Sequence, residues 1–299
     1  MEQTGHSAIA GSMSADGVHS LVAILGGGVM GSGIATLALG HGLPVTLVDI
    51  GDDVLDRSRR VIGSQLRHAQ LMSALPAGVT VGDLTTSTSI RDTAGATIVI
   101  EAVSELPELK AKVLTEVSDA VRPGTPLISN TSGIPIDEMA AWVARPDELI
   151  GTHFMNPPYL ISMVEVIEGP RTGAGTMTAV TAFLASIGRQ PIVVRDSPGF
   201  VTSRLLHPMI NQATALVGRG IVSVEAVDAL MEGCLGHRVG PLRTADLIGI
   251  DNLVDSLNAL YERTGEESCR PAELMLEKIR AGHLGRKSGR GFYEYQMTS

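Results

Sequence analysis

The apolar run Leu21-Val22-Ala23-Ile24-Leu25 breaks into Gly26-Gly27-Gly28-Val29-Met30-Gly31 and resumes as a stretch from Ser32 to His41 rich in Ala, Leu and Ile. That order predicts a buried strand, a tight glycine turn and a helix. Gly26 permits the turn, Gly28 lets backbone approach a pyrophosphate, and Gly31 lets the helix pack closely on the strand. The amides that open the helix at Val29 and Met30 are then left facing phosphates. A second run, Val45-Thr46-Leu47-Val48, ends in Asp49, an acid about twenty residues on, which is the spacing a dinucleotide site needs. Asp49 is suited to accept from ribose hydroxyls, and its charge repels a 2′-phosphate, so the pattern favours NAD over NADP.

The alternation continues down the chain. Asp52 to Met72 reads as a helix with Asp53 and Asp56 early and Arg57, Arg59, Arg60 and Arg67 later, the order that suits the helix dipole. Thr97 to Ile100 reads as a strand leading into Glu101-Ala102-Val103-Ser104-Glu105, and a helix carrying Lys110 is predicted from about Pro107 to Val121. Leu127 to Ser132, Leu149 to His153, Met163 to Ile167 and Ile192 to Val194 are further strands, with helices over 135–143 and 177–187. The implied fold is α/β, a Rossmann-type doubly wound and mostly parallel sheet.

After Asp196 strand signals stop, and helices are predicted over 200–218 with a kink at Pro208, over 224–231 behind the N-cap Ser223, and over 244–261 and 271–281. The expected organisation is a flexible tail over residues 1–19, a nucleotide-binding domain over 20–195, and an all-α domain over 196–299 for substrate and dimer contacts.

Composition narrows the class. A chain of 299 residues has length for two domains. Its net charge of −9 argues against a general nucleic-acid surface. Cys234 and Cys269 form no CxxC or metal-ligand pattern, so free thiols in a reducing cytoplasm are expected and a metal is not. The N-terminal stretch lacks a basic n-region, and no run of about 18 apolar residues suggests a membrane span.

His153 and Glu165 stand on either side of a Pro-Pro turn, at the ends of two predicted strands. If the strands fold back on one another, the result is an imidazole with a carboxylate partner, a base for an alcohol proton beside a hydride acceptor. The other reading of these residues is a strand-end histidine satisfied in a core and a solvated glutamate.

Several motifs occur in order: Gly26-x-Gly28-x-Met30-Gly31, Asn130-Thr131-Ser132, Gly151-Thr152-His153-Phe154-Met155-Asn156-Pro157, Val164-Glu165-Val166, Asp196-Ser197-Pro198-Gly199-Phe200, Gly240-Pro241-Leu242, and Gly285-Arg286-Lys287-Ser288-Gly289-Arg290-Gly291-Phe292-Tyr293. Over residues 20 to 295 this resembles the 3-hydroxyacyl-CoA dehydrogenase family, the 3-hydroxybutyryl-CoA dehydrogenases among them. The resemblance implies that His153 is the catalytic base, Glu165 its orienting partner, Ser132 a donor to the substrate oxygen, and Asn156 a residue lining the nicotinamide and substrate site. It also implies cofactor contacts at Ala102, Glu105, Lys110 and Asn130, while the several apolar faces of the helical part point to a homodimer that buries them.

The chain departs from the family pattern in two places. Ser203 stands where an asparagine is usual. Gln65 and Met72 stand where a serine and a lysine hold coenzyme A, and the segment from Leu66 to Thr86 is shorter than the usual helical hairpin. Ser203 implies reach to a bulkier or more polar acyl group, and the second departure implies a different handle, an acyl carrier protein whose acidic surface would meet Arg57, Arg59, Arg60 and Arg67. The C-terminal part, with His207 and His237, resembles the branch that oxidises glyceryl groups on a carrier protein for polyketide extender units. The alternatives are 3-hydroxybutyryl-CoA, a free polar hydroxy acid of the gulonate or carnitine kind, and a non-catalytic NAD-binding protein.

Overall fold

In a computed structural model the described residues are 21–296, so the tail expected over 1–19 lies outside them. Eight strands form one sheet in the order β3-β2-β1-β4-β5-β6-β7-β8. They are β1 (Val22–Leu25), β2 (Val45–Val48), β3 (Leu84–Ser87), β4 (Ile98–Glu101), β5 (Leu127–Ser129), β6 (Leu149–His153), β7 (Met163–Glu168) and β8 (Gln190–Arg195). Every neighbouring pair is parallel except β6 and β7.

The central strands are buried on both faces, and each face has its own helical cover, as a parallel sheet requires. On one face α1 (Val29–Gly40), α2 (Asp52–Leu71) and α5 (Ala174–Ser186) bring Ile34, Leu55, Ile62 and Phe183 onto Ile24, Leu47 and Ile100. On the other, α3 (Pro107–Ala120) and the short α4 (Ile136–Met139) bring Leu114, Val117 and Met139 onto Ala23, Val99 and Leu127.

The remainder is helical: α6 (Thr202–Gly218), α7 (Val224–Leu235), α8 (Pro241–Ile248), α9 (Ile250–Thr264) and α10 (Glu273–Arg280). Ser223 caps α7 by accepting from the Ala226 amide at 3.2 Å. Two sequence expectations are corrected by the structure, and one element is added. The single helix over 244–261 is two, because Gly249 adopts φ +97°, a left-handed conformation that a helix cannot continue through. The helix over 135–143 is reduced to Ile136–Met139. Strand β3 was unforeseen: Leu84-Thr85-Thr86-Ser87 is a polar, partly exposed edge with little apolar signal. The glycine-rich basic loop near the C-terminus is a structural anchor. Buried Asp246 on α8 accepts from the amides of Phe292 at 2.8 Å and Tyr293 at 2.9 Å.

Candidate active site

The sheet order reverses between β1 and β4, the switch point at which open α/β sheets open a crevice. Gly26 ends β1 there with φ +105°, and a Cβ on it would stand 2.7 Å from the Ala102 carbonyl oxygen after β4. A Cβ on Gly31 would collide with the Gly26 carbonyl, backbone that cannot move aside, whereas one on Gly28 would have nothing within 4 Å. The loop is therefore closed towards the sheet and open towards the crevice, and the first-turn amides of α1 have no helical acceptor. This fits a pyrophosphate.

Asp49 Oδ2 accepts from the Gly27 amide at 2.7 Å, which fixes the loop and leaves further lone pairs for ribose hydroxyls. Ser58 on α2, a residue that drew no notice in the sequence, donates to the Gly27 carbonyl at 2.7 Å. Replacing Gly31 with alanine is expected to weaken NADH binding by about one to two orders of magnitude, since forced overpacking costs about 1–3 kcal/mol; fluorescence titration measures it.

Beneath the crevice lies a buried ion network. Lys110 and Glu101 have side chains 0% exposed and meet at 2.7 Å, and Lys110 Nζ is also 3.2 Å from Glu105. Glu101 accepts from the Ser129 hydroxyl at 2.6 Å and the Val103 amide at 2.8 Å. Glu105 accepts from the Thr131 hydroxyl and, at 2.8 Å, from the Ser132 amide. The network holds the turn after β5 so that Ser132 is exposed, its hydroxyl without a hydrogen bond among the described residues. The expected contact of Lys110 with the cofactor is corrected by this burial: its ammonium is enclosed and acts through the two carboxylates it pairs.

Antiparallel pairing of β6 and β7 puts His153 directly opposite Glu165. The two side chains, on residues 8% and 7% exposed, meet at 3.1 Å between His153 Nδ1 and Glu165 Oε2. Glu165 Oε1 accepts from the Val201 amide at 2.8 Å and the Thr202 amide at 3.3 Å. Thr202 Oγ1 donates to Glu165 Oε2 at 2.8 Å and lies 3.1 Å from His153 Nδ1.

Burial pushes the Glu165 carboxyl up, but the bonds from His153, Thr202 and Val201 outweigh it and hold the group below the usual carboxylate range. Those amides converge because Phe200 takes φ +52°, rare for a side-chain-bearing residue, with its ring edge-on to His153 at 6.1 Å. Such strain, about 1–3 kcal/mol, persists where surroundings enforce it. His153 Nε2 has no protein partner among the described residues, and β6 ends in His153 at the same edge of the sheet at which β1 and β4 end.

The 3-hydroxyacyl-CoA dehydrogenase NAD-binding domain model matches residues 21–197, and the C-terminal domain model of the same family matches residues 199–295. The chain belongs to the 3-hydroxyacyl-CoA dehydrogenase family. It is similar to a probable 3-hydroxybutyryl-CoA dehydrogenase of Deinococcus radiodurans, 38% identical over 91% of this chain and 99% of that one. It is similar also to one of Bacillus subtilis, 37% identical over 92% and 97%. The crystal structure of (S)-3-hydroxybutyryl-CoA dehydrogenase from Ralstonia eutropha superposes with TM-score 0.84 at 39% identity, covering 92% of this chain and 99% of that one. This member of the 3-hydroxyacyl-CoA dehydrogenase family is thus an NAD-dependent oxidoreductase.

Within this dehydrogenase, the other residues singled out in the sequence take different places. Asn130 follows β5 and accepts the Phe154 amide at 3.1 Å through its side-chain oxygen, which ties the ends of β5 and β6 together. Exposed Asn156 lies just past His153, and Pro158 beside it packs where a Cβ on Gly33 of α1 would stand. Ser203 is buried, and one turn on His207 is buried with Nδ1 2.7 Å from Ser256. Burial and the nearby His153 push the His207 imidazole down to about 4, so it is neutral at pH 7. Arg57 and Arg60 lie exposed on α2, Arg57 paired with Asp53 at 3.5 Å, and neither bonds His153 or Glu165.

Proposed function

We propose that this enzyme oxidises the 3-hydroxyl of a short 3-hydroxyacyl-CoA, of the 3-hydroxybutyryl-CoA kind, to the 3-oxoacyl thioester. The observation that carries the reading is the imidazole of His153, held through Nδ1 by Glu165 at 3.1 Å with Nε2 free. The names of the Deinococcus, Bacillus and Ralstonia relatives support the substrate class. NAD, when bound, supplies the two-electron acceptor.

In this reading His153 Nε2 takes the hydroxyl proton as the hydride leaves C3 and the C–O bond becomes a carbonyl. Glu165 offsets the charge that the ring acquires. The Ser132 hydroxyl, set in place by Glu105, donates to the same oxygen, and the glycine loop fixes the nucleotide from the opposite side. Exposed Leu230, Leu235 and Leu247 on α7 and α8 support a homodimer built on the helical part.

A second reading keeps the chemistry and changes the handle to an acyl carrier protein, with a polar group such as glyceryl as the acyl chain. Specific observations favour it. Gln65 turns inward to accept from Thr36 at 2.8 Å, Met72 is exposed, and no helix forms between α2 and β3. Arg60 lies exposed on α2 without an ion pair among the described residues, and Arg57 beside it is paired only with exposed Asp53. Buried His207, whose imidazole feels the charge of His153, adds a polar group near that histidine.

NADH absorbance decides between the readings, with 3-hydroxybutyryl-CoA and glyceryl-carrier protein as paired substrates. The first reading expects ready turnover of the CoA ester. A kcat/KM about tenfold or more in favour of the carrier-bound substrate transfers the assignment to the second, and no NADH from either substrate refutes both.

A further inference from the structure

Thr202 begins α6, where a threonine hydroxyl ordinarily bonds the amides of its own helix. This one does not. The preceding Val201 occupies the cap position without any side-chain cap, and Thr202 Oγ1 turns out of the helix towards Glu165 at 2.8 Å and His153 Nδ1 at 3.1 Å. The hydroxyl has one proton to give.

Glu165, held ionised by its donors, can only accept, and a charge-assisted bond outcompetes a neutral one, so that proton goes to the carboxylate. The Thr202 oxygen then faces Nδ1 with lone pairs alone, and Glu165 Oε2 faces it likewise. Two acceptors converging on one ring nitrogen require that nitrogen to carry hydrogen.

We propose that Thr202 is a positioning residue for the proton transfer: its hydroxyl, acting with Glu165, fixes the Nδ1–H tautomer of His153 and so leaves Nε2 as the base. The inference rests on the reading of His153 as the base. It also assigns part of the setting of that base to the helical region, because the Val201 amide, the Thr202 amide and the Thr202 hydroxyl all reach Glu165 from the start of α6.

Valine matches threonine in shape and lacks the hydroxyl, so Thr202→Val separates packing from hydrogen bonding. Oxidation of 3-hydroxybutyryl-CoA by Thr202→Val is expected to fall about tenfold in kcat, the scale of one lost bond to a charged group. The dissociation constant for NADH should stay within about twofold. Thr202→Ser should recover most of the lost turnover. In parallel, nitrogen-15 NMR of the His153 ring should show Nδ1 protonated in the wild type and a measurable rise in the Nε2–H fraction in Thr202→Val, where Glu165 remains as the single acceptor at Nδ1, with Thr202→Ala substituting if the valine variant fails to fold.

Wild-type kcat in Thr202→Val, a loss that serine does not recover, or an unchanged tautomer would each overturn the proposal. The ring shifts need no substrate. An enzyme inert towards 3-hydroxybutyryl-CoA therefore refutes the substrate reading and still leaves the tautomer decided.

Discussion

Glutamine in place of His153 lowers kcat by about two to four orders of magnitude, the range for losing a general base, while NADH binding is retained. The size follows from the role proposed for the ring: with no group to accept the hydroxyl proton, the C3–H bond must break against an alcohol that is still protonated. Retention of binding follows from where the side chain sits. The glycine loop, Asp49 and the α1 amides are held by β1, β2 and α2, none of which hydrogen-bonds His153. Glu165 also keeps three other donors, from Val201 and Thr202, so the carboxylate is not stranded by the substitution. Stopped-flow absorbance gives the chemical step and fluorescence titration the affinity. A kcat within tenfold of wild type removes His153 from the chemistry.

Methionine in place of Lys110 destabilises the fold by about 3–5 kcal/mol, the range for stripping one partner from a buried ion pair. Glu101 is fully enclosed, and without the ammonium its charge retains only the Ser129 hydroxyl and the Val103 amide. Solvent cannot take over the missing contact. Replacing Glu101 as well, in a Glu101→Gln, Lys110→Met pair, removes the stranded charge and is expected to recover about half or more of the loss, because a neutral amide costs less to bury than an unpaired carboxylate. Urea unfolding of the two variants measures this. Activity of the single variant should fall too, since Glu105 loses the cation that steadies it against Ser132. A single variant as stable as wild type would show that the pair contributes little beyond what neutral groups supply.

The nucleotide half of the molecule was legible in the sequence because its constraints are local. Strand, glycine turn, helix and acid lie within one continuous stretch, and the steric demands on Gly26 and Gly31 come from backbone a few residues away or just across the switch point. The His153 and Glu165 meeting was legible as one of two readings, since a reversal through Pro157 and Pro158 permits it without fixing the register. What was not legible depends on distant partners. Thr202 and Ser58 are ordinary helix residues until a carboxylate or a carbonyl from another element arrives. Lys110 was expected at the cofactor, and only the packing of α3 against β4 encloses it with Glu101. Polar β3 forms because β2 presents an unpaired edge, not because its own residues favour a strand.

The reversal between β6 and β7 couples activity to stability. Glu165 is flanked by Val164 and Val166, which pack into the core on the α1 and α5 face. A slip of one residue would turn the acid away from the imidazole and drag both valines out of that core in the same movement. A change that shifted this register would therefore cost stability as well as activity, because the alignment that fills the core is the same one that sets the acid against the imidazole.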